Sequence, residues 1–167
     1  MFKWISSRFF KQSSAVSKNR RFTEGEVKVI KIAHEIVLSQ IVLCTSVTKR
    51  GLIADRNVVT PWVVGYMVGT LDYASRQIMN ASHTDFDVIA LFIESHFSPK
   101  QEKTAFAMLI AAQDAMRTGS DPFMSGAHYI EGAKVGYQQF DDEVNSPTYM
   151  PLVQALMNSG YPKKSAA

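Results

Sequence analysis

The residues of this chain that come closest to a reactive pair are Asp72 and Arg76. They lie four residues apart in a segment with a helical apolar period, so their side chains can meet on one helix face. If that face is buried, the two charges must be paired, because an isolated buried charge is costly. We therefore expect a structural ion pair, and Asp72 is the first acid to test for a functional role.

Other side chains that could do chemistry lack the partners they need. His128 and Glu131 have a spacing that suits two metal ligands, but a metal site needs three or four. Cys44, the one cysteine of the chain, lies in the apolar sector of a predicted helix and excludes an internal disulfide. His34 and His96 are predicted to be core or boundary residues. We expect no metal and no cofactor, and binding rather than catalysis, since no phosphate-binding loop or nucleophile elbow is present.

A second candidate site is a groove along the predicted second helix. Two glycines one turn apart, Gly65 and Gly69, each cost roughly 1 kcal/mol relative to alanine in a helix interior, so they need a compensating contact. The candidate groove comprises Trp62, Gly65, Tyr66, Gly69, Asp72, Tyr73 and Arg76. Three interpretations remain open: packing against the matching pair Gly132 and Gly136, a groove for a peptide or apolar ligand, or a subunit interface.

Charge is divided sharply along the chain. Residues 1–23 carry six basic residues and no acidic one, whereas the rest of the chain, with twelve basic and fifteen acidic residues, sums to −3. The sequence pI near 9.0 therefore reflects the N-terminal segment, and the remainder gives no indication of a nucleic-acid-binding surface.

The N-terminal segment, residues 1–22, is called the arm below. Wound as a helix, it would place apolar residues such as Phe2 and Phe9 opposite basic ones such as Lys3, with Trp4 as an exception among the cations. Such a pattern is typical of segments that lie in a membrane interface. The candidate contact residues are Phe2, Lys3, Trp4, Ile5, Arg8, Phe9, Phe10 and Lys11. A sorting signal, a contact with an acidic partner and a solvated terminus are the alternatives. No apolar stretch reaches the length of about 20 residues that a transmembrane helix needs.

Capping signals predict the elements that position these residues. Thr23 with Glu26 forms a capping box, and four cap-type residues each precede a proline. The predicted helices cover residues 24–48, 61–80, 85–97, 99–118, 122–140 and 147–158, with Gly119 closing the fourth. The sequence thus predicts an all-α fold, a compact bundle of about six helices forming one domain over residues 23–167, preceded by the arm.

These features lead to two hypotheses about function. The first is a cytoplasmic protein-interaction or adaptor module without catalytic chemistry, peripheral at an anionic membrane through its arm, with another protein or a second copy of itself as partner. The second is a small-molecule-binding helical domain, or an enzyme without local signatures, whose site is the groove along the second helix.

Overall fold

The computed structural model of the protein describes residues 20–48, 59–120, 125–138 and 151–158. These residues form six helices and no strand, as the sequence predicts. The helices are α1 (Glu24–Thr48), α2 (Pro61–Met79), α3 (Phe86–His96), α4 (Pro99–Thr118), α5 (Ser125–Gln138) and α6 (Pro151–Asn158). The predicted starts at residues 122 and 147 lie outside the described residues.

The predicted caps account for most helix ends. The Glu26 amide donates to the Thr23 hydroxyl at 3.2 Å and the Thr23 amide to the Glu26 carboxylate at 2.7 Å, which completes the capping box of α1. Gly119 ends α4 in the left-handed conformation with φ 70°. Asp85, predicted to begin the third helix, is instead the cap of α3, because its side chain accepts from the Asp87 amide.

The core is built around α2, which contacts all five other helices. Its side chains Tyr66, Met67 and Leu71 are fully buried. Lys28, Lys31, Glu35 and Ser39 of α1 form an exposed polar strip, whereas Val29, Ala33 and Val37 of the same helix are buried.

A buried polar side chain connects three helices. Gln40 of α1 donates through Nε2 to the Tyr66 hydroxyl of α2 at 2.5 Å and accepts at Oε1 from the Leu152 amide of α6 at 3.0 Å. The Leu152 amide belongs to the first turn of α6, where amides have no partner within the helix. Gln40 therefore satisfies two buried groups at once and fixes the position of α6 in the bundle.

Candidate functional site

The two glycine pairs meet each other inside the bundle. A Cβ added to Gly65 would lie 2.1 Å from the Tyr129 carbonyl oxygen, and one added to Gly69 would lie 2.0 Å from that of Ala133. Reciprocally, a Cβ on Gly132 would lie 2.0 Å from the carbonyl oxygen of Trp62. One on Gly136 would lie 2.2 Å from that of Tyr66. No side chain of any kind fits at these four positions.

The order of these contacts shows that α2 and α5 run in the same direction, because residue numbers rise together along both helices. Each carbonyl oxygen faces a glycine Cα, a geometry that permits weak Cα–H···O interactions between the backbones. The glycine faces are therefore an internal helix contact. The hypothesis of a ligand groove at Gly65 and Gly69 is wrong at these two residues, since the backbone of α5 fills the space beside them.

The aromatic residues assigned to the groove wall pack within the fold. Tyr66 is fully buried and bonded to Gln40, and Trp62 stacks on it with ring centroids 5.6 Å apart and planes inclined by 10°. Tyr73 meets Tyr137 of α5 edge-to-face at 6.1 Å. The Tyr73–Tyr137 contact thus adds to the α2–α5 pair, whereas Trp62 and Tyr66 stack within α2.

The expected ion pair between Asp72 and Arg76 does not form. Asp72 Oδ1 accepts from the Thr84 amide at 2.8 Å, while Arg76 donates to the Tyr137 hydroxyl at 2.7 Å. Burial raises the pKa of Asp72, against the lowering effect of its hydrogen bonds to Thr84. Burial also raises the pKa of Tyr129, and the charge of Asp72 adds to that shift. Asp72 thus secures the loop that leads from α2 to α3.

His34 and His96 form a buried pair between α1 and α3. His34 Nδ1 lies 3.0 Å from His96 Nε2, and His96 Nδ1 lies 2.9 Å from the Phe92 carbonyl oxygen. His96 Nδ1 also lies 2.9 Å from the Ser95 hydroxyl. With the His96 proton on Nδ1, the ring donates to the Phe92 carbonyl oxygen and accepts from His34 at Nε2. Burial lowers the pKa of His34 and lowers that of His96 to about 4. Both rings are neutral at pH 7, in keeping with the predicted core or boundary position.

The charged group that links the arm to the rest of the chain is Arg20. Its Nη1 lies 2.6 Å from Asp85 Oδ1 and 2.6 Å from Asp87 Oδ2, and its Nη2 lies 2.6 Å from Glu26 Oε1. The guanidinium also lies 5.2 Å from the ring centre of Phe22, which packs against the core. Arg20 and Phe22, assigned to the arm from sequence, therefore contact the helical body.

This arrangement holds Arg20 between the starts of α1 and α3. The Arg20 guanidinium lowers the pKa of Asp85, which keeps that carboxylate charged and paired. Sequence reasoning missed the arrangement because the three carboxylates come from two separate turns of the chain. The candidate arm contacts Phe2, Lys3, Trp4, Ile5, Arg8, Phe9, Phe10 and Lys11 lie outside the described residues.

The described ranges show neither a metal-binding cluster nor a membrane-spanning helix. No three His, Cys, Asp or Glu side chains there lie close enough together to hold a metal ion. None of the helices in those ranges combines the length and apolar character needed to cross a membrane. No known protein family, curated protein sequence or solved structure matches the chain.

Proposed function

We propose that this protein is a helical interaction module that holds a basic, aromatic arm at a fixed place on its surface, and that the arm binds an anionic membrane. The observation that carries the proposal is the set of three ion pairs made by Arg20. They connect the arm to the starts of α1 and α3, so any surface that the arm binds is brought next to that end of the bundle.

The charge of the arm supports a membrane as the binding surface. Of the six basic residues in 1–23, Arg20 neutralises carboxylates of the body, which leaves five for an outside partner. Among these, Arg21 is exposed. Each basic residue near an anionic leaflet contributes about 1 kcal/mol, and aromatic side chains add affinity at the headgroup boundary. The body, at −3, is repelled by the same surface, so the arm is the part that binds.

The experiment compares two full-length variants that lose the same charge. In the arm variant, Lys3, Arg8, Lys11 and Lys18 become Gln; in the body variant, Lys28, Lys31, Lys103 and Lys134, all exposed, become Gln. Each protein is sedimented with vesicles of phosphatidylcholine alone or with added phosphatidylserine. The arm variant should lose roughly a thousandfold in partitioning at low salt, the equivalent of about 4 kcal/mol.

The body variant should lose much less binding than the arm variant, because its lysines belong to the net negative body and not to the segment that the proposal assigns to the membrane. Equal losses in the two variants would show that binding follows net charge rather than the arm. An arm variant that binds as well as the parent would overturn the proposal. The corresponding location, on the cytoplasmic side and peripheral at a membrane, is part of the same proposal, as is the absence of catalytic chemistry.

A further inference from the structure

Polar contacts join α1 to α3 at two levels. At the first, Arg20 binds Glu26 near the start of α1 and Asp87 near the start of α3. At the second, His34 of α1 meets His96 of α3. The histidines lie eight residues beyond Glu26 and nine beyond Asp87, about 12 to 14 Å further along each helix. The two helices therefore run in the same direction and are joined near both ends of their contact.

The two nitrogens that face each other in the histidine pair share a single proton. His34 Nδ1 and His96 Nε2 lie 3.0 Å apart, with ring centres at 4.9 Å. A hydrogen bond between them needs a proton on one nitrogen and a lone pair on the other, whichever ring is the donor. When one ring is charged, its N–H still has the neutral ring as acceptor. When both are charged, two donors and two positive charges face each other beside the buried His96 ring, so the contact becomes repulsive.

The charged groups around the pair leave the two rings to act mainly on each other. Burial lowers the pKa of His96, and the charge of His34 lowers it further. Burial also lowers the pKa of His34, against the raising effect of Glu35, which is exposed like Lys31 one turn before it. On α3, Glu94 is half-buried two residues before His96. Helix α6 carries no charged residue. The other described charged side chains on helices that pack against α1 or α3 are Asp72 and Arg76 of α2, which bind Thr84 and Tyr137, and Glu102, Lys103, Asp114 and Arg117 of α4.

We propose that the His34–His96 contact is a pH-sensitive switch, which holds α1 against α3 while at most one of the two rings is charged and opens when both are. The hydrogen bond from Arg20 lowers the pKa of Asp85, so the ion pairs at the starts of the two helices persist at that pH. The contact between α2 and α5 rests on glycine backbone, which has no ionisable group. Acid should therefore separate α1 from α3 at the histidines before the bundle unfolds. The switch does not depend on membrane binding.

NMR spectroscopy of the unaltered full-length chain tests the switch. At neutral pH, nuclear Overhauser effects should connect the rings of His34 and His96, and others should connect the rings of Tyr73 and Tyr137 across α2 and α5. As the pH is lowered, the histidine contact should be lost near pH 4, where the second ring takes up its proton. The tyrosine contact and the helical circular dichroism should persist at that pH.

Two variants separate the switch from general effects of acid. In His34→Gln, the group that faces His96 is an uncharged amide whose oxygen accepts from a protonated ring, so the pKa of His96 should rise. His83→Gln with His128→Gln removes two exposed histidines and should leave the pH of contact loss unchanged.

Three results would overturn the proposal. The first is a histidine contact that persists when the ring carbon shifts show both rings to be charged. The second is loss of the histidine and tyrosine contacts at the same pH. The third is a pKa of His96 that does not rise in His34→Gln. If that variant does not fold, the titration of the unaltered chain decides alone.

Discussion

Replacing Gly69 by Ala gives the sharpest test of the contact between α2 and α5. The new methyl group would lie 2.0 Å from the Ala133 carbonyl oxygen, more than 1 Å short of the 3.4 Å at which ordinary contact begins. Neither atom can rotate away, because one is a Cβ and the other belongs to a helix backbone. The two helices must therefore separate along their whole contact.

The expected loss of stability follows from two opposing effects. Overpacking of a filled interior costs about 3 kcal/mol, and an outward shift of the helices also weakens dispersion contacts along the pair. Alanine returns about 1 kcal/mol because it favours the helix more than glycine does. The free energy of unfolding should therefore fall by about 2 kcal/mol, measured by urea denaturation followed by circular dichroism.

Two other glycines serve as controls for this measurement. The Cβ of Gly25→Ala would lie 3.0 Å from Sδ and 3.1 Å from Cγ of the flexible Met79 side chain, so stability should change by less than about 0.5 kcal/mol. Gly119→Ala has nothing within 4 Å but keeps φ near 70°, so it should cost about 1 kcal/mol through the backbone alone. A Gly69→Ala protein as stable as the parent chain would refute the close contact. Because one substitution already separates the two helices, a Gly65→Ala/Gly69→Ala double variant should lose less stability than the sum of the two single losses, and an equal sum would also refute it.

Three further changes test other parts of the structure. The pKa of His96 is lower in the folded chain than in the unfolded one, so the unfolded state takes up protons first as the pH falls. The free energy of unfolding should therefore decrease below about pH 6.5, by about 3 kcal/mol at pH 4 for His96 alone. A His96→Gln protein whose free energy of unfolding, measured by urea titration, has the same slope between pH 6.5 and 5 would contradict this. Gln40→Leu removes the hydrogen bond to the Tyr66 hydroxyl and the one from the buried Leu152 amide and should cost about 2 kcal/mol in the same assay. A change below about 1 kcal/mol would show that Gln40 does not connect the helices. Arg20→Met should cost only about 1 kcal/mol, because Asp85 is half exposed, and the difference from the parent should shrink in high salt; a salt-independent loss would mean that packing rather than charge is responsible.

The sequence predicted the helices well because their signals are local. Proline after a cap-type residue, the Thr23–Glu26 box and a closing Gly119 each act within one turn of the chain. The packing of the two glycine pairs against each other could also be predicted. Glycines one turn apart inside a helix need a close neighbour, and the backbone beside each pair can be that neighbour for the other. The parallel direction of α2 and α5 could not be predicted, since it depends on the path of the chain between them.

The partners of the polar side chains were harder to predict. A spacing of four allowed Asp72 to meet Arg76, but it could not show that the Thr84 amide and the Tyr137 hydroxyl would compete for them. Gln40 did carry a usable signal, as an amide in an otherwise apolar sector of α1. Two of the carboxylates that bind Arg20, Asp85 and Asp87, are 65 and 67 residues away in the sequence, so only the folded chain brings them to it.

The proposal that the arm binds an anionic membrane is tested most directly by the partitioning of the unaltered chain onto vesicles. The phosphatidylserine fraction and the salt concentration are varied. We predict negligible binding to phosphatidylcholine alone, binding that rises with the anionic fraction, and a decline as salt screens the basic residues. Binding that is absent at every anionic fraction, or that is the same with and without phosphatidylserine, would contradict the account.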